Sequence, residues 1–219
     1  MNNINKYVEH TLLKPDATKA ELDKLLLEAK ENAFLGVCVN PINIKYSKEY
    51  LKDADIKIVT VIGFPLGANL TEIKAKEAQL AVLDGADEID MVINISALKD
   101  NNDALVSQDI EAVVKASGEK PVKVIIETDL LTKEEIKRAS HLSAKAGAKF
   151  IKTSTGFVKN GVGAKVEDVE IMSSIAKEYG IQVKASGGIK TFEDAKKLIE
   201  AGASRLGTSS GVQIIQGAK

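Results

Sequence analysis

Short β-branched runs alternate with amphipathic stretches along the whole of this 219-residue chain. No other feature constrains the fold as tightly. The runs are YVEHTLL (7–13), GVCVN (36–40), IKIVTVIG (56–63), EIDMVIN (88–94), VKVIIET (122–128), FIKTS (150–154), IQVKAS (181–186) and SRLGTSS (204–210). They recur about every 28 residues, close to one strand-plus-helix unit. Between the first two, ATKAELDKLLLEAKENA (17–33) sets Leu22, Leu25, Leu26 and Ala29 on one helical face. Thr18 with Glu21, and Thr132 with Glu135, have the spacing of a capping box at a helix start. Gly36, Gly85, Gly118, Gly147, Gly180 and Gly202 each stand between a helical pattern and the next strand, where a left-handed residue can close the helix.

Strands alternating with helices call for a parallel sheet. Eight such units in one chain fit a compact α/β fold, the (β/α)8 TIM barrel, at the short end of its size range. No linker or shift in composition divides the chain, so residues 1–219 are expected to form one catalytic domain. The rival is a doubly wound open sheet, favoured if YVEHTLL is not a strand. That fold predicts a nucleotide-type glycine fingerprint near the N-terminus, and the sequence has none.

Composition narrows the function. Lys and Arg (30) nearly balance Asp and Glu (31), and no basic run supplies the footprint of a nucleic-acid binder. No stretch approaches the roughly 18 apolar residues of a membrane span. The N-terminus, MNNINKYVEH, lacks the apolar core of a secretion signal. The single cysteine, Cys38, can neither close an internal disulfide nor build a cysteine-rich metal site, and it is expected to pack inside the second strand. The cytoplasm is the expected compartment, with no nucleic-acid or membrane partner.

Two lysines stand where a parallel strand, covered on both faces, is normally apolar. Strand alternation sets Phe150, Lys152 and Ser154 on one face, and Gln182, Lys184 and Ser186 on one face of the next strand. If the apolar faces meet the helices, both lysines point into the barrel from the sixth and seventh strands. A strand lysine can instead snorkel its ammonium to solvent, and Lys123 is read as structural or solvated in that way. Two lysines at matching depth, each followed by small polar residues, favour function. An ammonium beside a second cation in a desolvated pocket has its pKa lowered, and a neutral amine is the nucleophile that attacks a carbonyl. Asp90 is the third candidate: it shares the inward face of its strand with Val92 and Asn94, opposite Ile89, Met91 and Ile93. A buried aspartate needs a partner, which an inward lysine would supply, although a purely structural ion pair would look the same.

Ser186-Gly187-Gly188 follows the seventh strand, and Gly207-Thr208-Ser209-Ser210-Gly211 the eighth. In barrels these two loops, with the start of a short extra helix, often bind phosphate, because glycines let backbone N–H groups approach its oxygens. Thr155-Gly156 could close the third side. His10 and His141 lie far apart and are assigned to packing or solvent. No His, Asp or Glu cluster has metal-ligand spacing, and neither a metal nor a cofactor is expected, since a protonated imine is itself an electron sink.

With these residues in place, the sequence resembles the deoxyribose-phosphate aldolase family over essentially its whole length. The resemblance rests on HTLLKPDAT (10–18), GVCVNP (36–41), TVIGFPLG (60–67), EIDMVIN (88–94), VKVIIET (122–128), FIKTSTGF (150–157), VKASGGI (183–189) and RLGTSSG (205–211). It implies a class I aldolase on a (β/α)8 barrel, cleaving a small sugar phosphate and assembling as a homo-oligomer, dimer or tetramer. Lys152 then matches the Schiff-base lysine, Lys184 the partner that perturbs it and Asp90 the proton-relay carboxylate. Gly187, Gly188, Ser209 and Ser210 match the phosphate loops, with Gly156 and Gly207 beside them. Two departures stand out. Some members have lysine where this chain has Phe157, and some end in a catalytic tyrosine where this chain reads Gln216-Gly217-Ala218-Lys219. Two rivals are another Schiff-base barrel aldolase acting on keto-acid or ketose phosphates, and a silent barrel that only binds sugar phosphates.

Overall fold

The computed structural model describes residues 3–218; Lys219, the last residue of the C-terminal segment, lies outside them. Eight parallel strands close on themselves in sequence order: β1 (Val8–Leu12), β2 (Gly36–Val39), β3 (Lys57–Ile62), β4 (Glu88–Val92), β5 (Val122–Ile125), β6 (Phe150–Lys152), β7 (Gln182–Ser186) and β8 (Arg205–Thr208). β1 pairs with β8 as well as β2, so YVEHTLL is the strand that shuts the barrel, and the open-sheet alternative falls. The principal crossover helices are α1 (Lys19–Glu31), α2 (Ile44–Tyr50), α3 (Thr71–Leu83), α4 (Ile95–Lys99), α5 (Asp103–Ala116), α6 (Lys133–Lys145), α7 (Val166–Tyr179) and α8 (Phe192–Glu200), and α9 (Gly211–Gln216) follows β8. No helix among the described residues is long and apolar enough to cross a membrane.

The main core lies between barrel and helices. Ile89, Met91, Val124, Ile151, Val183, Ala185 and Leu206 face outward and join Leu22, Leu25, Leu26 and Ala29 of α1 in one buried cluster. Burying each large aliphatic side chain is worth about 1.5–3 kcal/mol, and the shell compensates for the near absence of aromatics. Both capping boxes form, Thr18 with Glu21 and Thr132 with Glu135. Gly85, Gly118, Gly147, Gly180 and Gly202 take positive φ as expected. Gly36 does not. It opens β2, where an added Cβ would sit 2.9 Å from the Lys57 carbonyl oxygen, and α1 reverses instead at Ala33 (φ +48°). A close strand approach, not a helix cap, requires that glycine.

Register places the opposite parity inside the barrel. Asp90 is level with Lys123, Lys152 with Lys184, and Lys184 with Arg205. Glu9 and Gly207 share a level across β1 and β8. The lumen is therefore largely charged. Its apolar positions include Val92, Ile125 and Phe150, and a small separate cluster of Leu13, Cys38, Val59 and Val61 with Phe64 packed against it.

Candidate active site

Charge fills the barrel interior. Glu9, Asp90, Lys123 and Lys184 have no exposed surface, and Lys152 keeps 3%. Asp90 is the hub: its Oδ2 accepts from Lys152 Nζ (2.7 Å) and Lys184 Nζ (2.6 Å), and its Oδ1 accepts from Lys123 Nζ (2.9 Å). Lys184 also pairs with Glu9. Lys123 lies 2.7 Å from Glu88 and 3.5 Å from Glu9, and Arg205 reaches Glu9 at 3.7 Å. The two lysines on β6 and β7 thus lie on the same face of the sheet and share one carboxylate oxygen.

Burial opposes ionisation of Asp90, but Lys123, Lys152 and Lys184 outweigh it and hold its carboxyl well below the ordinary aspartate value. Burial likewise disfavours charge on Lys184, yet Asp90 and Glu9 prevail and raise its pKa above that of an ordinary lysine. Lys184 is a fixed ammonium. Burial pushes the Cys38 thiol up, which keeps it inert.

Lys152 is the member of the cluster that opens outward. It lines a cavity of about 350 Å³ at the C-terminal end of the strands, together with Ser154 and Thr155. Gly156, Gly187, Gly188, Gly207, Ser209 and Ser210 all line the same cavity, whereas Asp90 and Lys184 sit behind Lys152. The glycines are required by close approach. A Cβ on Gly188 (φ +74°) would meet the Val162 carbonyl oxygen at 2.2 Å, and Gly163 packs directly on the Gly187 backbone. These loops thus stack backbone on backbone, leaving room for a ligand that small polar groups can grip. Phe157 lines the cavity too, its ring edge-on to Phe64 with centroids 5.2 Å apart. Phe157 thus makes this part of the rim aromatic, and Lys14 and Lys190 line the same cavity.

Several positions differ from the sequence reading. Lys123 is fully buried in the charge network and so is not solvated; parity alone would have put it inside with Asp90, its level neighbour. Asn94 is not on the inner face of a strand: β4 ends at Val92, and the Asn94 side chain caps α4 by accepting from Ala97 N–H at 3.0 Å. Glu9, Glu88 and Arg205 were missed. The alternation in YVEHTLL sets Glu9 with Thr11 and Leu13, opposite Val8, and that signal could have found Glu9. His10, by contrast, is packed outside the barrel, with Nε2 2.8 Å from Glu28 and its ring 5.1 Å from that of Phe34. A further buried carboxylate, Glu127, accepts from Thr155 N–H at 3.1 Å and from the Thr155 hydroxyl. Burial raises its pKa, against the hydrogen bonds from Thr155.

Residues 6–217 match the sequence model of the DeoC/LacD family aldolases. The chain belongs to that family. It is 58% identical over 212 residues to the deoxyribose-phosphate aldolase of Staphylococcus carnosus, covering 97% of this chain and 95% of that one. It is 56% identical to deoxyribose-phosphate aldolase 1 of Mesoplasma florum, covering 98% and 96%. Among solved structures, the tetrameric deoxyribose phosphate aldolase from Aeropyrum pernix superposes with a TM-score of 0.88 at 33% identity, covering 96% of this chain and 88% of that one. An aldolase designated QR15 superposes with a TM-score of 0.93 at 42% identity, covering 99% and 96%. The similarity spans nearly the full length of this chain and most of each of these relatives, so the barrel is a shared architecture.

Proposed function

We propose that this protein is a 2-deoxy-D-ribose 5-phosphate aldolase, cleaving its substrate reversibly to D-glyceraldehyde 3-phosphate and acetaldehyde through a Schiff base on Lys152. The observation that carries the proposal is the shared Asp90 oxygen: one lysine facing the cavity and a second, permanently charged lysine behind it, joined through a carboxylate. The neutral amine of Lys152 adds to the C1 aldehyde of the open-chain sugar and loses water to give an iminium ion. The proton of the C3 hydroxyl passes through a water to the Asp90 carboxylate, and Lys184 stabilises the arrangement electrostatically. As the C2–C3 bond breaks, its electron pair moves into the iminium to form an enamine, and C3 becomes the aldehyde of the departing triose phosphate. The proton taken up at Asp90 returns through the water to the enamine carbon, and hydrolysis then releases acetaldehyde and frees Lys152.

Gly187, Gly188, Ser209 and Ser210, flanked by Gly156 and Gly207, are the proposed phosphate cradle, with Lys190 and Lys14 supplying charge that Phe157 does not. Lys152 and those loops line one and the same cavity of about 350 Å³, so the amine and the phosphate site can act on one small molecule. Residues 1–219 are proposed to act as one catalytic unit in the cytoplasm, assembled as a dimer or tetramer; light scattering would report the assembly. Borohydride reduction in the presence of acetaldehyde tests the chemistry. The peptide carrying Lys152 becomes N-ethylated, a net gain of C2H4, and a Lys152→Ala protein gains none there. An unmodified Lys152, or pyruvate or dihydroxyacetone phosphate as product, overturns the proposal.

A further inference from the structure

β5 ends at Ile125, level with Lys152, but pairing with β6 continues out of step. Ile126 N–H donates to the Lys152 carbonyl at 3.0 Å, and Thr128 N–H donates to the Thr153 carbonyl at 2.9 Å. Two residues of one segment therefore pass one residue of the other, and the extra residue is Glu127. Its backbone is left-handed (φ +60°, ψ +66°), a conformation that a residue with a long side chain seldom adopts. Bulges of this kind re-aim a side chain beside an active site, and a strained conformation persists only where its surroundings hold it.

The bulge aims Glu127 at Thr155. The buried carboxylate accepts from Thr155 N–H at 3.1 Å on Oε1 and from the Thr155 hydroxyl on Oε2, while Thr155 Oγ1 accepts from Phe157 N–H at 3.0 Å. Two residues on, Asp129 Oδ2 accepts from Gly163 N–H at 2.7 Å. The loop after β6 is thus tethered at both ends to the segment after β5. Thr155 lines the cavity between Lys152 and the glycine loops. Its hydroxyl proton is committed to Glu127, so the oxygen can meet a ligand only as an acceptor.

We propose that Glu127 is a positioning residue that fixes Thr155 Oγ1 as a hydrogen-bond acceptor for the C4 hydroxyl of the sugar phosphate. This role rests on the aldolase reading above. In that reading C1 is bound to Lys152, the C3 hydroxyl faces the water at Asp90 and the phosphate fills the loops, so C4 carries the hydroxyl left to place. Glu127 would then act on the triose half of the substrate alone. Acetaldehyde bound at Lys152 lacks that half and does not depend on it.

That asymmetry supplies the test. Glu127→Gln is nearly isosteric, but its amide must donate to Thr155 Oγ1 and so turns the hydroxyl proton elsewhere. Two rates are measured on the full-length protein: cleavage of deoxyribose 5-phosphate, and exchange of the acetaldehyde methyl protons with D2O, which reports enamine formation. The variant is expected to lose about tenfold or more in kcat/KM for cleavage and to keep exchange within about twofold of the parent. Thr155→Val should show the same split, and the double variant should lose no more than either single one. If both rates fall together, Glu127 sustains the site as a whole and the assignment is overturned. If neither falls, it is overturned as well. A parent protein that neither cleaves the sugar phosphate nor exchanges acetaldehyde would instead overturn the aldolase reading, and this role with it.

Discussion

Lys152 and Lys184 share one oxygen of Asp90, yet replacing each by methionine should have opposite consequences for stability. Three buried carboxylates, Glu9, Glu88 and Asp90, face four cations, Lys123, Lys152, Lys184 and Arg205, with Lys57 reaching Glu88 from the half-exposed rim at 3.4 Å. Among the described residues Lys152 forms its ion pair with Asp90 alone, which two other ammonium groups already hold. In Lys152→Met the interior keeps three cations for three carboxylates and gains an apolar side chain of similar length. Lys184→Met leaves the same count of charges but removes the ammonium that hydrogen-bonds the Glu9 carboxylate, whose remaining cations, Lys123 and Arg205, stand off at 3.5 and 3.7 Å, so a buried carboxylate loses its direct partner.

Breaking a buried pair from one side costs about 3–5 kcal/mol, whereas replacing buried charge by a packed apolar group is often neutral. For a chain of this size 1 kcal/mol moves Tm by about 2–4 °C. Lys184→Met should therefore melt roughly 6–20 °C below the parent, and Lys152→Met within about 4 °C of it, or above. Thermal unfolding followed by circular dichroism at neutral pH reads both, with borohydride trapping confirming that Lys152→Met has lost the nucleophile. Equal losses in the two variants would mean that Lys152 is a structural cation which Asp90 needs, and the argument for a dispensable, chemically available amine would fail.

Two further outcomes follow from the site. Gly188→Ala forces a left-handed Cβ to within 2.2 Å of the Val162 carbonyl oxygen, so the loop after β7 must shift. KM for deoxyribose 5-phosphate should rise about tenfold or more, since the left-handed strain alone is about 1–2 kcal/mol, while acetaldehyde trapping at Lys152 persists; an unchanged KM would remove this loop from the phosphate site. Asp90 has a folded pKa well below its ordinary 3.8, so the unfolded chain takes up that proton first. Its contribution is complete above about pH 4 and is lost as pH falls further toward the folded pKa. Urea unfolding between pH 6 and pH 3 should show stability falling on the acid side of pH 4, and a stability that rises there would refute the sign.

The parts of this molecule that could be read from sequence are those governed by a short period. Strand alternation located Lys152, Lys184 and Asp90 on inward faces because β6, β7 and β4 are regular over those residues, and the neighbouring apolar positions supply the contrast. The same alternation puts Lys123 and Glu9 inside, but a lysine or glutamate near a strand end looks like a solvated one until the register is known. Asn94 reads as strand because only Ile93 and Asn94 separate β4 from α4, and no glycine or proline marks the break. Glu127 could not be found by periodicity at all. It occupies a bulge, and a bulge breaks the period that would have revealed it.

The barrel interior shows why such a site resists inference one residue at a time. A lone lysine in a parallel strand is a costly exception; the same lysine among Glu9, Asp90, Lys123 and Arg205 belongs to a nearly balanced network, and only closure of β1 against β8 brings Glu9 to Lys184. Closure also divides the roles. Lys184, Lys123 and Arg205 are enclosed, paired with carboxylates and unable to reach a ligand, so their charges set a fixed field. Lys152, the last residue of its strand, is the cation with both access to the cavity and a carboxylate that does not depend on it. The reactive amine is thus defined by where β6 stops. Extending that strand by one further closed layer would bury Lys152 among the others and leave the cavity with no nucleophile.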